Sequence, residues 1–326
     1  MFKMRKSFGL GLATAITFAC IEVSQAETYP SRPITMVVAT EAGGTTDMVA
    51  RLIGEKFQKR LGQPVIVENR PGAGNVIGTS YVAKAKPDGY TLLMGSSSPL
   101  TVNPAFYATL PYDAQRDFQP ISLLAFGRIV IVANASLPVT NLKEMISYSK
   151  THPGETTYAT PGNGTTQHLI GEMLKSETGL DMIMVPYRGS GPALTDVLGG
   201  RVSFMVDNLN TSLPQVRAGG LRAIAVTSAD RAETAPDIPT VAESGAPGFV
   251  VNSWIGLVGP IGMPRDIVDT LFQSLAEILH EPDVKEKLAT AGLDIDGGSP
   301  EKLSQQIRSE IVRYREIIKK ANIQIQ

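Results

Sequence analysis

The 326-residue chain carries 30 Lys and Arg against 31 Asp and Glu, for a formal net charge of −1, and a single cysteine. Such a balance argues against nucleic acid as a partner, and one thiol is too few for an intrachain disulfide framework or a multi-cysteine metal site. His152, His168 and His280 lie far apart with no His-x-x-x-His or similar spacing, so neither a metal nor a cofactor is expected.

In chain order, the first segment reads as an export signal. Lys3, Arg5 and Lys6 give a basic start, residues 8–21 are mainly apolar, and Ser24-Gln25-Ala26 forms a small-residue exit that places cleavage after Ala26. The apolar run is short for a membrane span and is broken by Thr14 and Thr17, and no later stretch reaches about 18 consecutive apolar residues. Cys20 lies inside this signal, and Thr17-Phe18-Ala19 fits lipoprotein cleavage poorly, so simple export to the periplasm is the expectation. Removal of residues 1–26 takes away three basic residues and Glu22, which moves the net charge from −1 to −3. About 300 remaining residues suit two lobes better than one core.

Ile34-Thr35-Met36-Val37-Val38-Ala39 reads as an apolar strand that runs through Thr40, Glu41 and Ala42 into Gly43-Gly44-Thr45-Thr46-Asp47. An amphipathic helix follows, with Val49, Leu52, Ile53, Phe57 and Leu61 at helical spacing. The glycines let the backbone come close to a ligand, while the helix start presents free N–H groups and the positive end of its dipole. A carboxylate or phosphate fits such a place; an ordinary α/β turn with a Thr N-cap is the alternative.

Next come a strand at residues 65–68, a turn through Pro71-Gly72-Ala73-Gly74, a helix at 76–85 and a strand at 91–94 that ends in Gly95-Ser96-Ser97-Ser98. The spacing from Gly72 to Gly78 has one residue too many for a dinucleotide fingerprint, so tight-turn geometry explains those glycines. Ser96, Ser97 and Ser98 lack the closing glycine of a nucleophile elbow and serve better as hydroxyl donors. The apolar run at 129–133 is read as the strand that carries the chain into a second lobe. There, a helix at 142–150 and strands near 156–159, 182–185, 204–206 and 223–227 are expected before a Pro-rich return at 236–247.

Within that lobe, Tyr158-Ala159-Thr160-Pro161-Gly162-Asn163-Gly164-Thr165-Thr166 again takes a strand through glycines into a helix, with Thr165 as N-cap. Tyr187-Arg188-Gly189-Ser190-Gly191-Pro192 repeats the device, with Pro192 placed to start a short helix. Asp207 either accepts a hydrogen bond from the ligand or caps a loop on the hinge side. Two amphipathic helices close the chain, one around Ile267, Leu271 and Ile278, the other around Leu303, Ile307 and Tyr314. Trp254 either lines the cleft beside an aromatic ligand or, as the preferred reading, packs in the interior. Strands alternating with helices predict an α/β fold with mainly parallel sheets, ligands gathering at strand C-termini.

The series Tyr29-Pro30-Ser31-Arg32-Pro33-Ile34, Gly43-Gly44-Thr45-Thr46-Asp47, Glu68-Asn69-Arg70-Pro71-Gly72-Ala73-Gly74 and Pro87-Asp88-Gly89-Tyr90-Thr91-Leu92-Leu93 resembles the receptors of tripartite tricarboxylate transporters, the Bug-type family. Gly162-Asn163-Gly164-Thr165, Pro186-Tyr187-Arg188-Gly189-Ser190-Gly191-Pro192-Ala193-Leu194 and Asp237-Ile238-Pro239-Thr240-Val241-Ala242-Glu243-Ser244-Gly245 continue it in the right order. The resemblance implies a type II-like, two-lobed periplasmic binding protein that is no enzyme. It would act as a monomer, capture a small organic carboxylate in a hinged cleft and pass it to integral-membrane permease subunits. It assigns residues 27–128 plus 252–326 to one lobe and 129–251 to the other, and it places the ligand between the loop from Thr40 through Ala42, Gly43, Gly44, Thr45 and Thr46 and the loop from Thr160 through Thr166. This chain departs from the family at Ala39-Thr40-Glu41-Ala42, where an aromatic or proline-rich approach is usual, so the Glu41 side chain is expected to face solvent. A receptor serving a sensor kinase and, more remotely, an exported enzyme acting on a small carboxylate are the other readings.

Overall fold

The computed structural model describes Met1 and residues 28–320, so the export signal, its cleavage point and Cys20 lie outside the described residues. The first half runs β1 (Ile34–Val38), α1 (Thr45–Leu61), β2 (Val65–Asn69), α2 (Val76–Ala83), β3 (Thr91–Ser96), a π-helical turn (Ser98–Val102), α3 (Asn103–Phe106) and β4 (Phe118–Gly127). The middle holds β5 (Ile129–Asn134), α4 (Leu142–Thr151), β6 (Thr157–Thr160), α5 (Thr166–Thr178), β7 (Ile183–Pro186), α6 (Ser190–Leu198), β8 (Phe204–Asn208), α7 (Leu209–Arg217) and β9 (Leu221–Val226). The chain closes with β10 (Ser253–Pro260), α8 (Arg265–His280), α9 (Pro282–Thr290), β11 (Leu293–Gly298) and α10 (Pro300–Lys320).

Two sheets result, ordered β11-β4-β10-β3-β1-β2 and β7-β6-β8-β5-β9. Within each, the strand-turn-helix units are parallel: β1 with β2 and β3, and β6 with β7 and β8. The expectation of mainly parallel sheets needs correction, because β10 runs antiparallel to both β3 and β4, β11 runs antiparallel to β4, and β5 runs antiparallel to β8 and β9. Geometry explains the mixture. β5 and β10 enter their sheets directly from the other sheet, with no helical crossover of the kind that links parallel neighbours, and both run antiparallel to the strands beside them.

The chain passes between the sheets at two adjoining places. β4 ends at Gly127 and β5 begins at Ile129, and on the return Val251 donates its N–H to Thr227 O at 2.8 Å while Ser253 Oγ donates to Gly127 O at 3.1 Å. Arg128 braces the crossing, pairing with Asp294 of β11 at 2.8 Å and donating to Asp230 O at 2.9 Å.

Each sheet is covered on both faces. α1 and α8 supply Val49, Ile53, Phe57, Leu271 and Leu275 to one face of the first sheet, while Val82, Leu303 and Ile307 cover the other. In the second sheet, Leu169, Ile170 and Leu174 of α5 pack one face, and Ala193, Val197 and Leu213 pack the opposite one. α10 joins the two bodies: Leu303, Ile307 and Ile311 pack with the first sheet, but Tyr314 and Ile318 pack with the second, where Val102, Ala105 and Phe106 also lie. Trp254 is fully buried and donates Nε1–H to Glu310 Oε2 at 2.7 Å, which makes it a packing residue of this joint.

Candidate functional site

Parallel strands in register deliver their following loops to one edge. Val38 of β1 stands beside Met94 of β3 and Asn69 of β2, so the loops after all three strands emerge together. In the second sheet Thr160 of β6 stands beside Pro186 of β7, and Ala159 beside Met205 of β8. The two sets of loops meet.

At the first sheet, Gly43 has φ of 87°, a conformation that excludes most residues with a Cβ, and α1 starts with Gly44 as N-cap. The alternative of a Thr N-cap is therefore corrected: no side chain caps this helix, and the carboxylate of Asp47, in its first turn, reaches back to accept the Gly43 N–H at 2.9 Å. Asp47 also accepts from Asn69 Nδ2 at 2.9 Å and Arg51 Nε at 3.0 Å. Burial raises its affinity for a proton, but these bonds outweigh it and hold the carboxyl below its usual range. Glu41, Ala42 and Gly43 are exposed. Thr40 Oγ1, by contrast, is buried without a hydrogen-bond partner among the described residues.

At the second sheet, Thr165 is the N-cap of α5, its Oγ1 accepting the His168 N–H at 3.2 Å and donating to Gly162 O at 2.7 Å. Gly162 and Gly164 have φ of 153° and 69°. The N–H of Gly164 is bound by Nδ1 of His168 at 3.2 Å, which puts the imidazole proton on Nε2. Burial pushes His168 down to about 4, so it is neutral near pH 7. Asn163 Oδ1, like Thr40 Oγ1, is buried without a partner among the described residues.

Direct contacts join the two sets. Ser97 and Thr166 hydroxyls are 2.9 Å apart, and Ser98 Oγ accepts the Thr166 N–H at 3.1 Å. Thr45 Oγ1 also receives Asn210 Nδ2 at 3.1 Å, and within the second set Gln167 Nε2 donates to Asn208 Oδ1 at 3.1 Å. Ser96 is half-buried at the end of β3.

α6 begins at Ser190 rather than at Pro192, with Gly189 as N-cap at φ of 100°. Asp207 is wholly buried, and hydroxyls occupy its carboxylate: Ser190 Oγ donates at 2.6 Å, Ser212 Oγ at 2.9 Å, and Thr211 Oγ1 also donates. Through these hydroxyls Asp207 ties the starts of α6 and α7 together, although the N-caps of the two helices are Gly189 and Asn208. Burial raises its pKa despite those bonds.

A profile described as the tripartite tricarboxylate transporter family receptor matches residues 49–323. The chain belongs to that family. This is a solute-binding receptor family, and members with Bug names are among its relatives: protein BugT of Bordetella pertussis is 37% identical over 326 residues, covering 100% of this chain and 99% of BugT. Among solved structures, Rhodopseudomonas palustris Rpa4515 with adipate is 38% identical with a TM-score of 0.86, covering 90% of this chain and 98% of that one. MatC (Rpa3494) of the same organism, with bound malate, is 34% identical with a TM-score of 0.85, covering 89% and 100%. Among the described residues of this receptor no helix is long and apolar enough to cross a membrane.

Sequence reading missed Asn103, Tyr107, Gln167, Asn208 and Asn210. Of these, only Asn208 carried a local signal, standing next to Asp207 at the end of an apolar strand. Asn103 and Gln167 sit inside helical segments with nothing in their spacing to mark them. Their partners are brought by the fold: Asn103 Nδ2 donates to Gly74 O at 2.8 Å, across 29 residues of chain.

Proposed function

We propose that this receptor captures a small organic di- or tricarboxylate, or an aromatic carboxylate, between the loops of its two sheets and delivers it to a membrane permease. The observation that carries the reading is the convergence of two helix starts, α1 at Thr45 and α5 at Thr166, beside two buried polar atoms without partners, Thr40 Oγ1 and Asn163 Oδ1. The helix starts turn positive dipole ends towards an anion, with the Thr166 and His168 N–H groups already taken by Ser98 and Thr165, while the Thr40 hydroxyl can donate to a carboxylate and the Asn163 carboxamide can donate or accept. Relatives with 34–38% identity bound to malate and adipate support the ligand class.

In this reading residues 27–128 with 252–326 form one lobe and 129–251 the other, bending at the two crossings, and the monomer acts in the periplasm after removal of residues 1–26. It binds and releases without turnover. Because the anion is what the helix starts recognise, the amide of a bound acid should bind far more weakly. A thermal-shift screen of adipate, malate, citrate and aromatic carboxylates beside their amides tests this. An acid at 100 times its Kd should add roughly 2.7 kcal/mol of stability. Equal shifts from an acid and its amide would remove the anion site.

A further inference from the structure

The turn between β2 and α2 holds four consecutive residues at positive φ: Gly72 at 126°, Ala73 at 46°, Gly74 at 63° and Asn75 at 74°. Two of the four carry a Cβ, which such a backbone crowds, so the turn persists because its surroundings over-determine it. Those surroundings are the Asn163 loop of the second sheet and the α3 segment that packs towards that sheet. A Cβ on Gly74 would stand 2.6 Å from the Asn163 carbonyl oxygen and 3.2 Å from Tyr107 Oη. Asn103, fully buried, donates Nδ2 to Gly74 O at 2.8 Å, and its neighbours Val102, Ala105 and Phe106 pack into the apolar cluster of the second sheet. From the opposite direction, a Cβ on Gly164 would stand 2.6 Å from Asn103 Oδ1 and 2.8 Å from Tyr107 Oη. Backbone therefore meets backbone here, with room for no side chain at either glycine.

We infer that the Gly72–Asn75 turn is the seat of the Asn163 loop, and that Gly74 and Asn103 are positioning residues that set ligand affinity through that loop. The affinity part rests on the carboxylate reading above; the seat itself does not. When the seat is lost, the Asn163–Thr166 segment samples arrangements in which the start of α5 no longer converges with that of α1. Apparent affinity then falls in proportion to the competent fraction.

The test separates close approach from backbone conformation alone. Gly62, at φ of 74° with nothing within 4 Å of an added Cβ, is the matched control: Gly62→Ala imposes a similar φ cost far from the contact. Hydrogen exchange read by mass spectrometry is measured on the exported full-length protein without added carboxylate, for the natural sequence, Gly74→Ala, Asn103→Leu, their double variant and Gly62→Ala. Exchange across residues 160–168 should rise about tenfold in both single variants. The double variant should exchange no faster than the faster single, because both break one contact. Gly62→Ala should leave that segment unchanged. Titration with malate and adipate should show an affinity about tenfold lower in Gly74→Ala and Asn103→Leu and unaltered in Gly62→Ala. Natural-rate exchange over 160–168 in Gly74→Ala, or the same acceleration in Gly62→Ala, overturns the seat. Accelerated exchange with unaltered affinity overturns the positioning role. If neither acid binds the natural protein, the carboxylate reading falls while exchange still decides the seat. Should Asn103→Leu fail to fold, Gly74→Ala against Gly62→Ala decides alone.

Discussion

At the start of α1 the chain is exposed from Glu41 to Gly43 and held by one carboxylate, Asp47, whereas at the start of α5 residues 164–168 are all buried and tied by Ser98, Thr165 and His168. Both turns use glycines at positive φ and both open a helix, yet only the second is enclosed by other parts of the fold. The contrast shows how one local motif can be prebuilt in one sheet and left adaptable in the other. A Cβ at Gly43 would meet nothing within 4 Å, while one at Gly164 would strike Asn103 and Tyr107.

The largest break in the comparison should come from placing alanine in each turn. Gly43→Ala pays only for its backbone conformation, about 1–2 kcal/mol. Gly164→Ala adds overpacking against Asn103 and Tyr107, bringing the loss to roughly 2–5 kcal/mol. Urea midpoints of the two variants measure the difference, and equal losses would mean that the second turn is no more enclosed than the first.

Acidification should act on the α5 turn through His168. Burial holds its folded pKa near 4 against about 6.5 when unfolded, so between those values the unfolded chain binds more protons. The contribution of His168 is complete above about pH 6.5 and is lost as pH falls towards 4, at about 1.4 kcal/mol per unit and up to roughly 3 kcal/mol. The stability difference between the natural protein and His168→Gln should therefore shrink by roughly 2.5 kcal/mol from pH 7 to pH 4.5. A difference that is independent of pH would show that His168 titrates normally.

Asp47→Asn sharpens the α1 side. The variant loses the charged acceptor that gathers Gly43, Asn69 and Arg51, at a cost of about 1.5–3 kcal/mol at pH 7. The folded pKa of Asp47 is depressed, so its contribution exists above the ordinary carboxylate range and disappears as pH falls through it. Chemical denaturation at pH 7 and pH 3 reads both.

The smallest effects compare the two threonines. Thr165→Ala removes an N-cap and should cost about 1 kcal/mol of stability, whereas Thr45→Ala, with only Asn208 and Asn210 near its hydroxyl, should stay within about 0.5 kcal/mol. A larger loss at Thr45 would show that the link across the cleft to Asn210 already braces the protein without ligand.

Local features were legible in the chain itself. The strand-turn-helix units at 34–61 and 157–178, the Thr165 cap and the tight turn at Gly72–Gly74 follow from periodicity, capping preference and the freedom of glycine, all written within a few residues. β4, β10 and β11 went unread because Pro120, Gly127, Gly256 and the acidic Asp294 and Asp296 interrupt any strand pattern; pairing across more than a hundred residues makes them strands. The same limit hid the site's second layer.

What the sequence determined by itself was three glycine-bearing helix starts and the order of their parts, since backbone conformation and the dipole of a helix depend on neighbours in the chain. Only the tertiary structure decided that Ser97 and Ser98 would meet Thr166, that hydroxyls would fill the carboxylate of Asp207, and that Gly74 would press against Asn163. Those outcomes depend on how two sheets are set by the crossings at Arg128 and between Val251 and Ser253 and by α10, whose apolar residues divide between both bodies. Such contacts leave no periodic trace, because each joins residues whose separation along the chain is set by everything folded between them.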